Sequence, residues 1–181
     1  MSPRHRFSVS VAVVASLVAL QAAAQGAAAL TVTMNLISAK GIGAPIGTIE
    51  LEDSTRGLVL KLNLKSLPPG HHGFHLHAKG SCAAAEQDGK MTAGMAAGGH
   101  FDPDNTKKHL GPYAVGGHKG DLPVLKVAGD GTARGLLLAP HLKLADLAGH
   151  ALMIHAGGDN YADQPKPLGG GGARIACGVV Q

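Results

Sequence analysis

LVLKLNLK, residues 58–65, sets a leucine at every second position: Leu58, Leu60, Leu62 and Leu64 alternate with Val59, Lys61, Asn63 and Lys65. In an extended chain alternate side chains share a face, so the stretch reads as a strand with one apolar side. The same period runs through residues 30–37, where Leu30, Val32, Met34 and Leu36 alternate with Thr31, Thr33, Asn35 and Ile37. Turn signals such as Pro68-Pro69-Gly70 and Asp130-Gly131 separate the runs. Further short strands are expected at residues 47–52, 72–79, 124–128, 133–138, 150–156 and 175–180. Eight strands with few helical windows predict an all-β fold, an antiparallel barrel or sandwich.

Two stretches interrupt that rhythm. Residues 80–121 and 157–173 are long, polar and rich in glycine. Loops of such length are uncommon in compact domains and are usually functional or disordered. The first holds three histidines and Cys82, and reads as an ordered loop pinned by metal. Gly169 to Gly172 favours local flexibility in the second.

The 181 residues suit one ordinary domain, but the start does not look like part of it. Arg4 and Arg6 precede an almost wholly apolar run at residues 8–20, and Ala22-Ala23-Ala24 then fits a secretory cleavage site. Residues 1–24 are read as a signal peptide and residues 25–181 as the exported domain. The apolar run is shorter than the roughly 20 residues a spanning helix needs, so no membrane anchor is expected after cleavage. Losing Arg4 and Arg6 takes the formal charge from +4 to +2. That near balance gives no case for nucleic-acid binding. Cys82 and Cys177, the only cysteines, both lie in the exported part. An oxidising compartment makes a disulfide between them the natural reading, rather than two buried thiols.

Eleven histidines occur, and six of them form patterns with chemical sense. In GFHLH (residues 73–77), His75 and His77 would share a strand face opposite Phe74 and Leu76. His155 ends another strand in ALMIHAGGDN (151–160). His100 in GGHFDP (98–103), His109 in KKHLGP (107–112) and His118 in GGHKGDLP (116–123) are spread along the first long loop, with Asp121 three residues after His118. Three imidazoles and a carboxylate match a four-coordinate zinc site with no open position. His75, His77 and His155 leave room for one more imidazole, and an all-nitrogen site suits copper. Which loop histidine completes it stays open at this level.

GFHLH, GGHFDP, GGHKGDLP, IHAGGDN and RIACGVV occur in an order that resembles the copper/zinc superoxide dismutases in their bacterial exported form. The resemblance runs from about Leu30 to the C-terminus, and DQPKPLGGGGARIACGVV (163–180) looks especially like the bacterial branch. It implies an eight-stranded Greek-key barrel with two long functional loops and one copper and one zinc per subunit. His75, His77, His100 and His155 would hold copper. His100 would bridge to a zinc held also by His109, His118 and Asp121. Asp159 would orient His75 and His109 from outside the metal shell, and Arg174 would guide the anionic substrate, superoxide. The catalytic pair implied is Arg174 and His100.

A periplasmic location follows from the leader, and the family contains both monomers and homodimers. The main alternative is an exported copper- and zinc-binding protein without catalysis, which has no need for Arg174. A zinc hydrolase is disfavoured because the zinc group is already filled. His71, His72, His141 and His150 match no ligand position and are expected in solvent. Phe74, Phe101 and Tyr113 are expected to pack under the loops.

Overall fold

A computed structural model describes residues 29–181; the signal peptide read at residues 1–24 lies outside the described residues. Eleven strands form among them: β1 (Ala29–Ser38), β2 (Gly41–Ser54), β3 (Gly57–Leu64), β4 (Gly70–His72), β5 (Phe74–His77), β6 (Ala85–Gln87), β7 (Lys90–Thr92), β8 (Leu125–Val127), β9 (Ala133–Ala139), β10 (Ala151–His155) and β11 (Arg174–Val179). Seven of them make one curled antiparallel sheet in the order β5-β10-β11-β1-β2-β3-β9. The crossover that seats the last strand between β10 and β1 makes the mostly-β half-barrel the sequence predicts. Two ribbons, β4–β8 and β6–β7, complete the strands.

The alternation of β3 is realised as read: Leu58, Leu60, Leu62 and Leu64 are buried while Lys61 and Asn63 are exposed. They meet Val32 and Met34 from β1, and Leu125 and Val127 from β8, in one core. Burial of apolar surface on that scale drives the collapse of the sheet into a half-barrel. β2 starts earlier than the expected residue 47, because the β1–β2 hairpin is paired down to Ser38 and Gly41, with irregularities beside Asn35.

The strand expected at residues 72–79 is two strands. β4 pairs with β8, whereas β5 pairs with β10. The chain changes partner at Gly73, where an added Cβ would stand 3.2 Å from both Gly158 O and His75 Cε1. A side chain there would require those neighbours to give by a few tenths of an ångström. In the first long loop β6 and β7 form a hairpin that alternation alone did not reveal. It turns at Asp88 and Gly89, both at positive φ (51° and 75°), as a two-residue hairpin turn requires. Cys82 and Cys177 are joined, with Cα atoms 5.6 Å apart, and tie this loop to β11.

Candidate metal centre

β5 supplies the floor of the site. Phe74 and Leu76 point into the core, and His75 and His77 stand on the other face. That second face is not solvated: all four residues are buried, because the first long loop lies along β5. Leu76 N–H donates to Gly120 O, and Phe101 N–H donates to Leu76 O, both at 2.8 Å. Isolated pairings set His100 opposite His77 and Asp121 opposite His75. β10, paired to β5 through Met153 and His75, brings in His155 at its end.

Two groups of side chains converge there. The ligand-capable atoms of His75, His77, His100 and His155 lie within 4.8 Å of one another, and so do those of His75, His100, His109 and Asp121. His118 stands slightly wider. The Nδ1 atoms of His100, His109 and His118 lie 3.0, 3.0 and 3.3 Å from Asp121 Oδ1. Ligand atoms around a tetrahedral ion with bonds of ~2.0 Å are separated by about 3.3 Å, which these spacings approach. On the other side His77 Nε2 and His155 Nε2 are 3.3 Å apart.

The second nitrogen of each ring settles which atom is free. His75 Nε2 donates to Asp159 Oδ2 at 2.8 Å, and His109 Nε2 to Asp159 Oδ1 at 2.7 Å. His77 Nδ1 donates to Gly98 O at 2.9 Å, and His155 Nδ1 to Gly172 O at 3.1 Å. An imidazole that donates at one nitrogen keeps a lone pair at the other. Two of those remaining atoms are buried and make no hydrogen bond: His75 Nδ1, and His109 Nδ1, which faces Asp121 Oδ1 at 3.0 Å outside hydrogen-bond geometry. A buried polar atom left without a hydrogen bond is costly, and a cation at each of these positions removes that cost. The donor set therefore fits metal on both sides.

Charge agrees with geometry. Burial pushes His75 down to about 3 and His155 down to about 4, with His100 nearby adding to both shifts. Burial also lowers His77 and His100, so these rings are neutral donors at neutral pH. Burial opposes charge on His109, but the carboxylates of Asp121 and Asp159 beside it outweigh burial and raise the ring to about 9, so at neutral pH a metal ion binding at Nδ1 displaces a proton. Burial likewise opposes ionisation of Asp121 and Asp159. Their histidine partners nevertheless hold both well below the usual carboxylate range.

Arg174 opens β11 opposite His155, at an irregularity in the β10–β11 register. Its guanidinium donates to Gly94 O at 2.6 Å and Gly98 O at 2.7 Å, so the disulfide-tied loop aims it. A cavity of about 600 Å³ is shared by Arg174, His77, His100 and His155, with Met95 and Leu168 also in its wall. No carboxylate lines it.

His72 departs from expectation. It is buried, 3% exposed, and its ring lies between Pro68 O and His155 O, 2.8 Å from each. The two carbonyls supply hydrogen-bond partners for both ring nitrogens, which lets a polar side chain be buried there. His71 and His141 are exposed as expected, while His150 is half-buried with its ring 4.2 Å from that of Phe101. Phe74 is fully buried, but Tyr113 is 63% exposed rather than packed under the loop. Asp163 and Tyr161 were missed. Asp163 Oδ2 accepts His109 N–H at 3.0 Å, and Tyr161 N–H donates to Asp159 Oδ1 at 2.8 Å. Only their place beside Asp159 in a long loop could have flagged them.

Comparison with known proteins points the same way. The family model described as copper/zinc superoxide dismutase matches residues 45–180. A superoxide dismutase (Cu-Zn) of Escherichia coli K12 is 50% identical over 177 residues, which is 97% of this chain and 99% of that protein. The Cu/Zn superoxide dismutase from Brucella abortus superposes with a TM-score of 0.83 at 50% identity, over 85% of this chain and 100% of the other. The monomeric copper, zinc superoxide dismutase from Salmonella enterica gives a TM-score of 0.76 at 55% identity, with the same coverage.

Proposed function

The chain belongs to the copper/zinc superoxide dismutase family, and on that premise we propose how its own residues hold the metals and handle the substrate. The reaction turns two superoxide anions and two protons into dioxygen and hydrogen peroxide. Copper held there would supply one-electron exchange with superoxide, and zinc a fixed positive charge that does not change oxidation state.

His75 through Nδ1, His77 and His155 through Nε2, and His100 through Nε2 are the copper ligands in this reading. His100, His109 and His118 through Nδ1, with Asp121 through Oδ1, are the zinc ligands. His75 also falls within reach of the zinc-side group. Its single free nitrogen can serve only one ion, however, which leaves His118 to complete the zinc set. The observation that carries the assignment is the pair of buried nitrogens that make no hydrogen bond, His75 Nδ1 and His109 Nδ1. Each belongs to a ring whose other nitrogen Asp159 holds.

His100 stands in both sets. Its Nδ1 stays beside Asp121 at 3.0 Å, so its Nε2 is the atom that would hold and release a proton for the reaction. Arg174, pinned by two carbonyls at the wall of the shared cavity, binds the anionic substrate beside that atom. Asp159 keeps His75 and His109 in the tautomers that ligation needs.

Superoxide is thus the small-molecule substrate. Among the described residues no helix is long and apolar enough to cross a membrane. The leader-like residues 1–24 and the formed disulfide support a periplasmic location for the mature chain. The test is superoxide consumption by mature protein carrying one copper and one zinc per subunit. Fully loaded protein that leaves superoxide untouched would refute the enzyme and favour a metal buffer.

A further inference from the structure

We propose that Tyr161 is a positioning residue of the zinc side, holding in register the two carboxylates that orient its imidazoles. The inference rests on the zinc assignment above. Tyr161 N–H donates to Asp159 Oδ1 at 2.8 Å, the same oxygen that accepts His109 Nε2–H at 2.7 Å. Its phenolic oxygen accepts Val124 N–H at 2.9 Å, three residues beyond Asp121. The ring lies directly on Gly111: a Cβ added there would stand 2.5–2.7 Å from Tyr161 Cγ, Cβ and Cδ1. Gly111 N–H in turn donates to Asp121 Oδ2 at 3.1 Å, beside Leu110 N–H at 3.2 Å.

One residue therefore touches Asp159 directly and Asp121 through the backbone that anchors it. With Oδ2 of Asp121 committed to those two amides, Oδ1 is the atom left to face the three Nδ1 atoms. Tyr161 does this at a φ of 57°, a left-handed conformation that bulky side chains rarely adopt. Strain of that kind persists only where surrounding contacts impose it. Here the contacts are the Asp159 carboxylate, the Val124 amide and the Gly111 surface. Removing the ring frees the segment around Gly111 to move away from Asp121, and loosens the carboxylate that aligns His109. The copper side depends less on this residue, because His75, His77 and His155 sit on β5 and β10.

Zinc and copper affinities of the full mature chain, measured separately by chelator competition, test this together with the visible absorption of Co(II) in the zinc site. Y161A should weaken zinc roughly 10- to 100-fold, the usual effect of losing a group that supports a ligand. It should alter the Co(II) spectrum and leave copper affinity within a few fold. Y161F keeps the ring and should lose less than about tenfold. If Y161A does not fold, Y161L reads the same contact, since it keeps bulk without the flat ring. Unchanged zinc affinity and Co(II) spectrum would overturn the proposal. So would copper and zinc weakening equally. A parent protein that takes up neither zinc nor Co(II) would instead overturn the underlying site assignment, and the inference with it.

Discussion

Asp159→Asn keeps the shape of a fully buried side chain and removes its charge, which makes it a sharp probe of the two-metal arrangement. The carboxylate accepts three donors: His75 Nε2–H at 2.8 Å, His109 Nε2–H at 2.7 Å and Tyr161 N–H at 2.8 Å. An amide offers one acceptor oxygen and one NH₂ donor. Its oxygen is best kept on the two donors that share Oδ1, His109 Nε2–H and Tyr161 N–H, and its NH₂ then meets His75 Nε2–H; the opposite turn breaks two bonds instead of one. The surviving bonds lose their charge. A hydrogen bond to a charged group contributes about 1.5–3 kcal/mol, equivalent to roughly 10- to 150-fold in an equilibrium constant. That range overlaps the 10- to 100-fold typical of lost support for a metal ligand. The two sides should not suffer alike. His109 keeps an acceptor, whereas His75 loses one and is left to its place on β5 in register with Met153 and to its stacking on His100 at 3.8 Å. Copper affinity should therefore fall about 10- to 100-fold, and zinc affinity distinctly less. Separate chelator titrations of each metal decide it. Copper binding at the parental level, or zinc falling as far as copper, would refute the reasoning.

Arg174→Ile should lower kcat/KM by roughly 10- to 100-fold, the worth of one charged contact, and weaken the salt dependence of the rate. Metal content should hold; its loss would assign Arg174 to supporting the Gly94 and Gly98 carbonyls instead. Replacing Cys82 and Cys177 together by serine should cost up to ~4–5 kcal/mol for a loop of this length, a large share of a typical ~5–15 kcal/mol. Urea unfolding measures it, and a loss below about 1 kcal/mol would contradict a stabilising cross-link. For metal-free protein, His75 and His155 are depressed to about 3 and about 4. Their neutral native forms mean that the unfolded chain binds more protons below 6.5, so stability falls as the pH drops from there toward 4. His109, raised to about 9, contributes stability that is full below 6.5 and lost as the pH rises through 9. The melting temperature should peak near pH 6.5, and a flat profile down to pH 4 would count against the buried neutral rings.

Much of the fold was legible because strand alternation is a local property. Leu58 to Leu64 announce both a strand and its buried face, whatever lies beyond them. The disulfide followed from composition and compartment, since two cysteines leave one pairing. The candidate ligands stood out as motifs, because chemistry restricts which side chains can hold copper or zinc, and the resemblance supplied the roles expected of them. What alternation cannot carry is the identity of a neighbour distant in the chain. Gly73 looks like any glycine inside a strand, yet the chain changes partners there, and His72 lies buried between the carbonyls of Pro68 and His155. Both faces of β5 are dry because residues 98–121 fold back along it, a contact that no period of two encodes. The free nitrogen of each imidazole was likewise undecidable from sequence. It depends on whether Asp159, Gly98 or Gly172 takes the other proton, and those acceptors lie 17 to 84 residues away. The sequence by itself determined the kind of fold and the stock of ligands, because both are written in local residue types. Tertiary structure decided which atoms are free to bind, because that depends on hydrogen bonds made across the barrel.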